Sequence, residues 1–115
     1  MSNQKPLIMK EEFLYYLWEN KLLTTDLFTT EGDTVEIVSV GVRNRDSGPD
    51  YCDAKVRVGD ALWAGNVEMH VNSSDWYQHG HQDDKAYNSV VLHVVYQDDK
   101  SVEGVPTLEV KGKFD

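Results

Sequence analysis

Asp50, Glu68 and His70 are the residues whose types and spacing could carry out chemistry together. They lie in "SGPDYCDAKVRVGDALWAGNVEMHV", Ser47 to Val71. Asp50 comes just before one strand-like run. Glu68 and His70 stand two apart late in the next, so in a strand they share a face. Gly59-Asp60 between the runs is a two-residue hairpin signal, which brings the start of the first run back beside the end of the second. Asp50 can then approach Glu68. Converging carboxylates repel each other unless a cation, usually Mg²⁺ or Mn²⁺, sits between them. On this reading Asp50 and Glu68 are metal ligands. His70 is placed to orient an attacking water or to stabilise developing negative charge. The competing reading needs no chemistry: Glu68 and His70 line a solvated sheet face, and Gly48-Pro49-Asp50 is only a turn.

A second group is "HGHQDD", His79 to Asp84. It is similar to the H-x-H-x-D-H zinc motif of metallo-β-lactamase-like hydrolases, with Asp84 in place of the last histidine. That motif belongs to a larger fold than 115 residues build. Imidazole and carboxylate at this spacing could still ligate zinc; otherwise the segment reads as support for the Asp50–Glu68 site through His79 or His81, or as a polar helix with His79 and Asp83 at its surface, docked by Trp76 and Tyr87. His93, inside the apolar run "VVLHVV", reads as a core histidine bonded to a neighbour. Trp18, Trp63 and Trp76 read as packing anchors. Cys52 has no base near it in sequence and is no candidate nucleophile.

The elements that must position these groups follow from periodicity. "KEEFLYYLWENKLL" carries Phe13, Leu14, Leu17, Trp18 and Leu22 at helical spacing, which predicts one buried stripe. Glu11 and Glu12 suit its first turn. "TVEIVSVG" and "DAKVRV" read as strands, the second alternating Ala54, Val56 and Val58 against charged residues. In "ALWAGNVEMHV" the alternation predicts Val67, Met69 and Val71 buried, with Glu68 and His70 open to a cleft. "SSDWYQHGHQDDKAYN" opens on capping residues and predicts helical turns that Gly80 weakens. "SVVLHVVY" reads as a central strand covered on both faces, and "TLEVKG" as a last short one. The order is helix, three strands, helix, strand, strand: an α/β (α+β) sandwich with a mixed sheet.

The totals narrow the function classes. A chain of 115 residues with 40% apolar residues can bury one two-layer core as a single domain, residues 1–115. A formal charge of −9 opposes non-specific binding to nucleic acid, although an acidic metal site would itself contribute to that charge. One cysteine excludes an internal disulfide and fits a reducing compartment. No apolar run reaches membrane-spanning length, and "MSNQKPLIMK" lacks the apolar stretch of a leader. The expectation is a cytoplasmic protein without a membrane partner, and the abrupt end at "GKFD" reads as the edge of an N-terminal fragment.

The αβββαβ order, with Pro49-Asp50 before the second strand and Glu68 on the third, resembles the PD-(D/E)XK nuclease superfamily. His70 stands where that superfamily has its lysine. The resemblance implies a mixed central sheet flanked by helices and metal-assisted phosphodiester hydrolysis. It also implies a supporting acid from the first helix, for which Glu19 is the candidate. The alternative is a non-catalytic nuclease-like module for interaction with protein or nucleic acid, through regions outside this fragment. More specifically, "GPDY", "LWAGNVEMHV", "SSDWYQHGHQDDKAYN", "VVLHVVYQDD" and "PTLEVKG" resemble the N-terminal part of the bacterial domain of unknown function 2851 family. That resemblance implies a longer parent protein and no particular reaction.

Overall fold

The first helix, α1, spans Glu11–Glu19 and turns Leu14, Leu17 and Trp18 into the core. This computed structural model describes residues 9–115, so most of the segment read for a leader lies outside the described residues. The predicted stripe is narrower than expected. Helix α1 stops at Glu19 and Lys21 takes a left-handed φ of 53°, so Leu22 falls beyond the helix and is exposed. Phe13 packs edge-on against Phe114 at the surface instead of entering the core.

Seven strands follow: β1 (Leu27–Phe28), β2 (Thr34–Ser39), β3 (Val42–Arg43), β4 (Tyr51–Val58), β5 (Ala61–Asn72), β6 (Val90–Gln97) and β7 (Thr107–Glu109). They form one sheet in the order β1-β2-β4-β5-β6-β7, with β3 pairing β4 off this path. The pairs up to β4–β5 are antiparallel, whereas β5–β6 and β6–β7 are parallel. The sheet is mixed, as predicted. The two-residue strands β1 and β3 are too short to leave a periodic signal. An antiparallel bridge from Thr29 to Leu108 brings the first edge of the sheet to the last.

Leu14 and Trp18 of α1 meet Val56, Met69, Leu92, Val94 and Leu108 of the sheet in one buried cluster. Removing side chains of this size from water contributes about 1.5–3 kcal/mol each. The Trp18 indole N–H donates to the Val40 carbonyl at 2.9 Å, so its polar atom is satisfied in the core. Strand β6 is covered on both faces as its composition predicts, and His93 within it is fully buried.

The result is a mixed α+β fold with a mainly sheet core and few helices. A sheet flanked by helices was expected, but the second helical region is fragmented. Helix α2 is the single turn Asp75–Gln78, followed by 3-10 turns at His81–Asp83 and Lys85–Tyr87. Gly80, at φ 72°, ends the first turn in the left-handed conformation typical of a helix stop. Ser73 and Ser74 do not cap this helix with their side chains; both hydroxyls turn to Asp99 instead.

This irregular segment also corrects the expected burial of β5. Val67 and Met69 are buried as predicted and Val71 is half-buried. Glu68 and His70, however, are only 5% and 1% exposed, not open to a cleft. Period-two alternation assigns them one face; residues 73–87 fold over that face and make it a second interior. Trp63, expected to anchor packing, is 50% exposed because it lies in the fully exposed end of the β4–β5 hairpin, Ala61–Ala64.

Candidate metal centre

A bulge in β4 aims Asp50 at Glu68. The hairpin pairs Val58 with Ala61 around Gly59-Asp60, and this register runs to Ala54 opposite Gly65. The next pair is Tyr51 with Val67, so Cys52 and Asp53 together face Asn66. Asp53 absorbs the extra residue at φ 59°, in the left-handed region. Without it, Tyr51 would face Glu68 and the chain before it would present its opposite face. Gly41 makes room: a Cβ there would overlap the Cys52 carbonyl oxygen.

Asp50 and Glu68 meet as the hairpin predicts. The Asp50 N–H donates to Glu68 Oε1 at 3.1 Å. The Asp50 carboxylate accepts the Met69 N–H at 2.8 Å through Oδ2, and Oδ1 lies 3.0 Å from the Tyr15 hydroxyl. That hydroxyl is also 3.2 Å from Glu11 Oε1 and, having one proton, serves one acceptor at a time. Burial, then the Asp50 charge, pushes the Tyr15 phenol well above its usual range, so it stays a donor. Burial and Asp50 likewise raise Glu11 and Glu68 above ordinary carboxyl values. A cation beside Asp50 would offset the repulsion that raises Glu11 and Glu68.

The other oxygen of Glu68 faces imidazoles. His81 Nε2 is 2.9 Å and His70 Nε2 3.2 Å from Glu68 Oε2. Behind His70, its Nδ1 is 2.7 Å from His93 Nε2, while the buried His93 Nδ1 has no partner. Burial first, then the adjacent imidazoles, lowers His70 far below its usual value and His93 to about 3. Burial lowers His81 as well. Neutral imidazoles have a lone pair to offer a metal. His70, His79 and His81 each place one nitrogen within 4.8 Å of the others, a cluster that could hold a metal ion. Tyr87 stacks on His81 with ring centres 3.7 Å apart, and burial pushes its phenol up to about 12.

The structure thus brings together Asp50, Glu68, His70, His79 and His81. Glu19 is elsewhere: it accepts from the Tyr51 hydroxyl at 2.7 Å and lies 3.9 Å from Arg43. The helix acid that reaches Asp50's surroundings is Glu11, through Tyr15. Their i, i+4 spacing on α1 was the available signal. His93 is a core histidine bonded to a neighbour, as its apolar run predicts, and that neighbour is His70. Tyr87's role as a cover over His81 carried no signal beyond its aromatic type.

No helix among the described residues is long and apolar enough to cross a membrane. Neither a curated protein nor a solved structure matches this chain. A family model, described as protein of unknown function (DUF2851), matches residues 11–115. The match runs from the helix that carries Glu11 and Tyr15, through both carboxylates and all four histidines, to the last strand, and the chain belongs to that family.

Proposed function

We propose that this domain is a divergent metal-dependent hydrolase of phosphodiesters, with the ion held at Glu68 and Asp50. The observation that carries the reading is the approach of Asp50 to Glu68, 3.1 Å from backbone N–H to carboxylate, at the bulged end of a hairpin. Each carboxylate oxygen has two lone pairs, so those engaged by Tyr15, Met69 and the histidines keep capacity for a cation. The ion would polarise a phosphoryl oxygen and generate hydroxide from bound water. Of Mg²⁺ and Mn²⁺, the second fits better, because imidazoles crowd the far side of Glu68 and Mg²⁺ prefers an all-oxygen shell. The order of the main elements, with Pro49-Asp50 and Glu68 in place, supports the PD-(D/E)XK resemblance. His70 departs from it, since burial keeps the ring neutral where that superfamily has an ammonium.

A second reading is favoured by one observation: every oxygen of the pair already lies within hydrogen-bond distance of a protein polar group. A non-catalytic module that interacts with protein or nucleic acid would keep such a network for its rigidity alone. Cleavage of labelled DNA and RNA, single- and double-stranded, with Mn²⁺ separates the two. Hydrolysis by the wild type that is lost in both Asp50→Asn and Glu68→Gln supports the enzyme. Equal background in all three proteins supports the module.

A further inference from the structure

We propose that His70, His79 and His81 form a nitrogen-rich site for a zinc-class ion on the Oε2 side of Glu68, distinct from the oxygen position between Glu68 and Asp50. In a tetrahedral site with metal–nitrogen bonds of about 2.05 Å, a ring centre stands about 3.2 Å from the ion, so three bound rings lie about 5.2 Å apart. The three rings here are 5.1, 5.2 and 5.5 Å apart, a nearly equilateral triangle already at the spacing a shared ion requires. Their donor nitrogens fall within 4.8 Å of one another. Neighbouring donors on such an ion are separated by about 3.3 Å. Glu68 Oε2, at 2.9 Å from His81 Nε2 and 3.2 Å from His70 Nε2, meets that spacing on two edges and is the oxygen donor of the set.

The surroundings fit a ligand role for His70. A metal-bound histidine usually donates its other ring N–H to a neighbour that fixes the tautomer. His70 Nδ1, 2.7 Å from His93 Nε2, has such a neighbour inside the core. With Nδ1 carrying the proton, Nε2 presents its lone pair towards Glu68 Oε2. With Glu68 ionised, two acceptors then face each other at 3.2 Å, an arrangement a cation between them would stabilise. His93 is accordingly a positioning residue. His79 is exposed and Tyr87 stacks over His81, so the ion would enter past His79 while the opposite side stays closed. Imidazoles favour Zn²⁺ or Co²⁺ over Mg²⁺.

Metal titration of the chelator-treated protein tests this without any assay of hydrolysis. The wild type should bind one Co²⁺ with the strong visible absorption of a low-coordinate ion, Zn²⁺ should displace it, and both should bind roughly 100-fold or more tighter than Mg²⁺. His79→Ala removes an exposed ligand and should weaken Zn²⁺ binding by at least about tenfold with the fold intact by circular dichroism. His93→Gln should weaken it about 10–100-fold. Asp50→Asn should weaken it less than His79→Ala. Zn²⁺ binding that survives in His79→Ala but fails in Asp50→Asn would place the ion at the carboxylates and overturn the inference. So would a wild type that binds Zn²⁺ no better than Mg²⁺. Tight Zn²⁺ binding in a protein that cleaves nothing would keep this site and remove the hydrolase reading.

Discussion

Replacing Gly41 with alanine tests how the bulge holds the site. Gly41 has φ 80°, in the left-handed region, where a Cβ costs about 1–2 kcal/mol. The new Cβ would also overlap the Cys52 carbonyl oxygen and come within 3.0 Å of the Ala54 nitrogen. These are backbone atoms of the bulge and cannot rotate aside as a side chain can. Either β4 moves or the bulge reopens, a further cost of about 1–3 kcal/mol. The total is about 2–5 kcal/mol. Gly32 supplies the control, since its φ is 92° and a Cβ there meets open space, so Gly32→Ala carries only the first cost, about 1–2 kcal/mol. Urea unfolding followed by tryptophan fluorescence, with equal slopes for both variants, measures the gap. Gly41→Ala should also weaken divalent-metal binding, because Asp50 shifts relative to Glu68. Equal destabilisation of the two variants would refute the claim that Gly41 makes room for the bulge.

Two further outcomes follow from the burial and hydrogen bonding around the site. His70→Lys, which in a solvated cleft would be nearly neutral, should instead destabilise the protein by several kcal/mol in the same unfolding assay, because it puts an ammonium in a position 1% exposed; a change under about 0.5 kcal/mol would mean the face is wet. Asp99 accepts from the Ser74 N–H at 2.9 Å and the Ser74 hydroxyl at 2.8 Å, and the Ser74 amide above all holds it below its ordinary 3.8. A depressed carboxyl contributes stability that is present above 3.8 and lost as the pH falls below it. Wild-type stability should therefore drop through that range more steeply than that of Asp99→Asn, and parallel pH profiles would contradict the clamp.

The parts of the site legible in the sequence are those carried by short-range signals. Gly59-Asp60 and the alternation from Ala54 to Val58 marked the hairpin, and the hairpin brings Asp50 into the neighbourhood of Glu68, where the bulge aims it. The apolar run around His93 marked a strand covered on both faces. The bulge left no such trace: Asp53 in a left-handed conformation depends on room made by Gly41, from outside the hairpin. Alternation placed Glu68 and His70 on one face but could not say whether that face met water. The answer came from residues 73–87, an irregular cover with no period to read. Glu19 and Glu11 stand at opposite ends of the same short helix, about 12 Å apart along its axis, and the docking of α1 on the sheet decides which approaches Asp50. His93 reached the site through the parallel register that sets it beside Glu68 on β5, a pairing no local pattern specifies.

Anomalous diffraction from crystals of this protein grown with Mn²⁺, and in parallel with Zn²⁺, tests most directly whether Glu68 is the centre of a metal site. The account predicts a peak about 2.0–2.3 Å from a Glu68 oxygen in both. The Mn²⁺ peak should lie towards Asp50, and the Zn²⁺ peak among His70, His79 and His81. Peaks confined to exposed carboxylates, with His81 still 2.9 Å from Glu68 Oε2 and no density between them, would contradict it.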